Sequence, residues 1–145
     1  MMTHDSLWQL NRLLTILCRS FVQYLRWARP YVTPGQDEII DSLGAIAEDQ
    51  DALADRVSRM IVEAGGLPRS GDFPMEFTDL HDLRIDFLAA AAVRYQEYDV
   101  AAMLEISESL TSAPAARSLA EEALGMAKGQ LDALRELART PVISV

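Results

Sequence analysis

Residues 34–68, Pro34-Gly35-Gln36-Asp37-Glu38-Ile39-Ile40 through Ala54-Asp55-Arg56-Val57 to Gly65-Gly66-Leu67-Pro68, decide the fold. Ile39, Leu43, Ile46, Gln50, Leu53, Val57, Met60 and Ala64 recur at alternating steps of four and three, so they share one face of a long helix that must bury that face. Gln50 is the polar break in that stripe, and the periodicity points it into the core.

Working outward, the start of this helix carries Thr33 as cap, Pro34 at the first helical position and Gln36 three residues after the cap. Gly65-Gly66 supplies the left-handed stop and Pro68 forbids continuation. A helix over about 34–64 is expected. Upstream, Ser6 and Gln9 have capping-box spacing, the stripe Leu10, Leu14, Leu17, Phe21, Tyr24 and Ala28 follows, and Pro30 ends it near Arg29. These predict a first helix over 6–29, joined by a short link and therefore antiparallel to the second.

From Gly65 to Phe77 no helical stripe is present. At ~3.3 Å per extended residue the stretch covers roughly 40 Å, about the length of a thirty-residue helix, so it can return along the whole molecule and set the third helix parallel to the second. That third helix is expected over 79–110, with Leu80, Leu83, Phe87 and Ala90 on its inner face. The same register then reads Arg94 and Glu97 before Ala101 and Leu104. Either the face drifts toward Tyr95 and Tyr98, or two charges enter the core as an ion pair. A fourth helix over 113–138 carries Ala116, Ala120, Ala123, Ala127, Gln130, Leu134 and Leu137 on one stripe. With Ala89 to Ala92 it predicts closely approaching helices or a void.

The 145 residues suit one domain. Half are hydrophobic, yet no apolar run approaches the ~20 residues of a membrane span, and the N-terminus lacks a secretory pattern; a cytoplasmic protein with no membrane partner is expected. Cys18 is the only cysteine, which excludes an intramolecular disulfide and a thiolate zinc or iron–sulfur site within one chain. A charge of −9 and a pI near 4.6 disfavour nucleic acid as a partner. The acids at Asp37 to Asp55, Glu105 to Glu108 and Glu121 to Glu136 read as solvated faces before ion-loading surfaces.

Over roughly residues 10–138 the chain resembles a bacterioferritin, within the ferritin-like superfamily. The matching stretches are Leu10-Asn11-Arg12-Leu13-Leu14, Gln23-Tyr24 with Ala28-Arg29, Ala54-Asp55-Arg56, Gly66-Leu67-Pro68, and Gly129-Gln130-Leu131-Asp132 with Leu134. The resemblance implies an all-α, ferritin-like four-helix bundle with one long crossover between helices 2 and 3. The family's di-iron ligands, carboxylates and Glu-x-x-His pairs, then fall on Leu17, on Gln50 and Leu53, on Ala90, and on Ala127 and Gln130. The family's haem methionine falls on Asp51. None of the di-iron positions keeps a carboxylate or imidazole. Independently of alignment, the residues three before the two histidines, His4 and His81, are Met1 and Thr78, so no Glu-x-x-His exists. No cofactor, no catalytic residue and no metal ligand is therefore expected, and ferroxidase activity is not expected.

The resemblance also places Tyr24 near the former metal site, and Gln50, Gln130 and Tyr24 are expected to form a polar core cluster there. Only Thr140 to Val145 follow the fourth helix, too few for the family's cage-forming fifth helix, so a homodimer is expected before a cage. Three functional readings stand. The chain is a non-catalytic protein acting by self-assembly or partner binding, favoured by exposure of Trp8, Trp27 and Tyr31. It handles metal through surface carboxylates such as Glu48, Asp51 and Asp55. Or it holds a small molecule in an alanine-lined mid-bundle cavity.

Overall fold

The computed structural model describes residues 2–28, 30, 32, 34–80 and 84–139. Five α-helices, α1 (His4–Cys18), α2 (Phe21–Ala28), α3 (Asp37–Glu63), α4 (Ile85–Ser109) and α5 (Pro114–Arg139), are joined by loops and one 3-10 helix, Met75–Leu80. The fold is all-α, with no strand among the described residues. Among those residues, no helix is long and apolar enough to cross a membrane. Arg29, Tyr31, Thr33, His81, Leu83 and Thr140 to Val145, which figure in the sequence reading, lie outside the described residues.

The expected first helix is two helices. Thr3, not Ser6, caps α1, its hydroxyl accepting the Ser6 N–H at 3.1 Å. At the other end Arg19 leaves helical geometry (φ −120°, ψ 26°), and Ser20 caps α2: its Oγ accepts the Gln23 N–H at 3.2 Å and its carbonyl the Tyr24 N–H at 3.0 Å. Ser-x-x-Gln spacing occurs at both 6/9 and 20/23, and the second instance is the one that starts a helix. The α3 helix begins at Asp37 instead of Pro34, because Gly35 adopts φ +95° and so cannot lie in a helical first turn. It ends as expected at the two glycines. The Gly66 N–H bonds Ile61 O at 2.9 Å and the Gly65 N–H bonds Val62 O at 3.0 Å, a Schellman stop with Gly65 at φ +85°.

Two apolar clusters fill the interior. One joins Leu10 to Leu17 of α1 with Leu53 to Ile61 of α3, Met103 and Ile106 of α4, Leu110 at the C-cap of α4, and Ala116 to Ala127 of α5. The other joins Phe21 to Leu25 of α2 with Ile39 to Ala47 of α3, Ile85 to Ala92 of α4 and Leu134 of α5. The first halves of α3 and α4 thus lie at one end and their second halves at the other.

The chain between α3 and α4 runs along α1. Asn11 holds Leu67 O and the Arg69 N–H (3.2 and 2.6 Å), Arg19 Nε donates to Gly71 O at 2.7 Å, and the Arg19 guanidinium lies 5.0 Å from the Phe73 ring centre. Further on, Phe77 packs edge-on against Phe21 at 5.0 Å.

The register expected for α4 is corrected. Phe87 and Ala90 are exposed, and the buried stripe is Ile85, Leu88, Ala92, Gln96, Met103, Ile106 and Leu110. Residues 87–93 are apolar throughout, so spacing alone cannot choose a face there. Arg94 and Glu97 are both exposed, and no core ion pair forms between them. On α5 the stripe Ala116, Ala120, Ala123, Ala127, Gln130 and Leu134 is buried throughout, and α5 makes its most extensive contact with α4. Small side chains on both helices permit that close approach.

Candidate functional site

The break between α1 and α2 places a buried hydroxyl, Ser20, beside the interior of the helices. Ser20 Oγ donates to Gln50 Oε1 at 2.8 Å, Gln50 Nε2 donates to Gln130 Oε1 at 3.5 Å, and Gln130 Nε2 donates to Ile46 O at 3.5 Å. All three side chains are buried, and Gln50 is 2% exposed. From α4, Gln96 Nε2 donates to Ala127 O at 3.0 Å. Among the described residues no buried side-chain polar atom lacks a partner. That satisfaction is what permits so many amides in an apolar interior, since each unpaired group costs ~1–3 kcal/mol.

Gln23 extends the network toward solvent. Its Nε2 donates to Ala47 O at 3.0 Å and Asp51 Oδ1 at 2.9 Å, and at 3.4 Å to Leu17 O, a carbonyl next to the helix break. Arg26 then closes on Asp51 with both guanidinium nitrogens, at 2.7 and 3.1 Å. The hydrogen bond to Asp51 is the main reason Arg26 holds its proton more tightly than usual.

The structure brings Gln50 and Gln130 together and places Tyr24 elsewhere. Tyr24 sits among Phe21, Phe73, Phe77 and Trp27, with ring centres 5.5 to 6.3 Å away, because the α3–α4 connection delivers Phe73 and Phe77 to that face. Ser20 is the residue that meets Gln50. Of the positions where the resemblance put metal ligands, Leu17, Leu53 and Ala127 are buried beside the glutamines, whereas Ala90 is on the outer face of α4. Gln96 is the polar residue that α4 contributes to the interior.

Amide and hydroxyl groups engaged with one another offer no anionic oxygen to a hard cation. Among the described residues no three His, Cys, Asp or Glu side chains converge at metal-binding distance. Asp51 is held by Arg26 and Gln23, and Glu48 and Asp55 point to solvent. His4 is exposed in the first turn of α1. Cys18 is half-buried, and burial pushes its thiol pKa up, with Arg19 opposing the effect.

A cavity of about 610 Å³ opens at the helix break, lined by Arg19, Ser20, Glu76, Tyr95, Tyr98 and Asp99 among others. It lies between α1, the connection and α4, away from the alanine seam. Asp99 continues the inner arc of α4 between Gln96 and Met103, half-buried at the cavity wall, and desolvation pushes its carboxyl up to about 7. Burial, and next the charge of Glu76, also push the Tyr95 phenol up. A carboxyl with that affinity for protons is half-ionised at neutral pH and can give or take a proton there. It was missed because the inner face of α4 was placed on the wrong arc; steps of four and three from Ile85 through Leu88, Ala92 and Gln96 arrive at Asp99.

No protein-family model, no curated protein and no solved structure matches this chain.

Proposed function

We propose that the chain is a ferritin-like four-helix bundle with one long crossover, whose di-iron centre has been replaced by a hydrogen-bonded amide core, and that it acts without catalysis, by self-assembly or partner binding in the cytoplasm. In this reading α1 and α2 together are the first helix, broken at Ser20, and the path of residues 66–77 along α1 is the crossover. The observation that carries it is the chain of hydrogen bonds from Ser20 through Gln50 and Gln130 to Ile46, at the level where the resemblance puts the metals. Amides that satisfy one another leave neither charge nor open coordination there. Exposed Trp8, Trp27, Phe87, Tyr98 and Leu104 support action through surfaces. Light scattering across the micromolar range tests it: the reading expects a dimer, and a monomer at every concentration that captures no protein partner contradicts it.

A second reading, a small-molecule site, is favoured by the cavity at the helix break and its Asp99 carboxyl. Surface-carboxylate metal handling has no such support, since Asp51 is committed to Arg26.

A further inference from the structure

The arc of α4 that faces solvent is itself ordered. Phe87, Ala90, Arg94, Glu97, Ala101 and Leu104 are all exposed, and at ~100° per residue they share an arc of roughly 100°. Two other exposed aromatics keep contacts within the chain, the Trp27 ring 6.1 Å from Tyr24 and 6.5 Å from Phe73 and Arg12 over Trp8 at 5.2 Å, while Tyr98 is exposed on α4 itself. The outward residues of α3 are mostly charged, among them Asp41, Glu48, Asp49, Asp55, Arg56 and Arg59. Between Phe87 and Leu104 this arc is apolar apart from one cation and one anion at its middle, and beyond Leu104 it continues into the exposed carboxylates Glu105 and Glu108.

The order of the stripe is a palindrome about the point between Tyr95 and Gln96. Phe87 mirrors Leu104, Ala90 mirrors Ala101, and Arg94 mirrors Glu97. On a helical wheel the bisectors of the three pairs coincide, so a two-fold axis through that direction superposes the stripe on its complement in a second copy. We infer that the outer face of α4 is a homodimer interface in which α4 packs antiparallel against α4 of a second copy. Phe87 meets Leu104, Ala90 meets Ala101, and Arg94 pairs with Glu97, each contact occurring twice. The inference rests on the self-assembly reading above and names its surface.

Charge complementarity chooses this occupant. Among the described residues neither Arg94 nor Glu97 makes an ion pair within its own chain, so each can pair with its counterpart in a second copy. A parallel arrangement would oppose Arg94 to Arg94, and the antiparallel one opposes unlike charges and unlike helix dipole ends. The alanine pairs let the backbones approach, and the large side chains close the ends. The stripe is ~26 Å long, less contact than a typical permanent interface, so a reversible dimer is expected.

Sedimentation equilibrium of wild type, Arg94→Glu and Arg94→Glu/Glu97→Arg tests the assignment. Both residues are exposed, so all three proteins should keep the same helical circular dichroism. The expected result is a dimer for wild type, association weakened about tenfold or more in Arg94→Glu, where Glu faces Glu twice, and recovery in the double swap. In a Cys18→Ser background, Ala90→Cys/Ala101→Cys should oxidise to a covalent dimer, since the two positions are too far apart along one helix to bridge internally. A dimer unaffected by Arg94→Glu and not cross-linked overturns this interface while leaving self-assembly intact. A wild-type monomer overturns both.

Discussion

The hydroxyl of Ser20 donates to Oε1 of Gln50 across 2.8 Å, so the residue that breaks the N-terminal helix is also the one that anchors the polar core. Ser20 performs two tasks with one oxygen, since the same Oγ accepts the Gln23 N–H. Replacing it with Ala removes the cap and leaves Gln50 short of a donor. Ser20→Ala should destabilise by ~2–3 kcal/mol in urea unfolding, more than the ~1 kcal/mol expected for Thr3→Ala, whose hydroxyl caps α1 from an exposed position. Equal losses at the two sites would mean that the bond to Gln50 contributes nothing.

Gln50 and Gln130 should be energetically coupled. Either single change to Leu strands the other amide in the interior, at ~1–3 kcal/mol, whereas the double change removes both. The double variant Gln50→Leu/Gln130→Leu is therefore expected to lose less stability than the sum of the singles, by roughly 0.5–2 kcal/mol. Simple additivity in a double-mutant cycle would contradict the relay.

Asp99 should make stability fall as pH rises. Its native pKa is pushed up to about 7 by burial, above its unfolded value, so the native state holds the proton where the unfolded chain has released it. The stabilising contribution is complete below the unfolded pKa of ~4 and is lost as pH passes through 7. Asp99→Asn removes this dependence, and above pH 7 it should exceed wild type by ~2 kcal/mol or more. Parallel stability–pH curves for the two proteins would rule the mechanism out.

Gly65 holds φ +85° at the stop of α3, with open space where a Cβ would project. Gly65→Ala should therefore cost only the left-handed backbone term, ~1 kcal/mol. Gly66→Ala has a different problem: the added carbon would lie 2.9 Å from Leu7 Cδ2 and 3.0 Å from Ile61 Cγ2. Its loss should be larger, ~1–3 kcal/mol, and should shrink when Leu7 is cut back to Ala. Thermal unfolding of the three variants separates the two causes.

The helices that alternate apolar and polar residues were legible. In α3 and α5 a polar residue interrupts an otherwise clean stripe, which is why Gln50 and Gln130 stand out in the sequence and prove to be adjacent. The α4 helix was not legible in the same way, because residues 87–93 are apolar on every side; the stripe chosen there is the exposed one, and the choice hid Gln96 and Asp99. The break at Arg19–Ser20 was hidden by continuity, since Leu17, Phe21 and Tyr24 keep helical spacing across it. Its signal was Ser20-x-x-Gln23, local capping chemistry inside an apolar pattern. Tyr24 went to the aromatic cluster because of Phe73 and Phe77, and the path of an irregular connection is not written in periodicity.

The most direct test of the central claim is iron binding. Metal-stripped protein titrated anaerobically with Fe(II), desalted, analysed for metal and then exposed to oxygen should retain no stoichiometric iron and should oxidise Fe(II) no faster than buffer. Retention near two irons per chain with rapid oxidation would contradict an amide core in place of a metal centre.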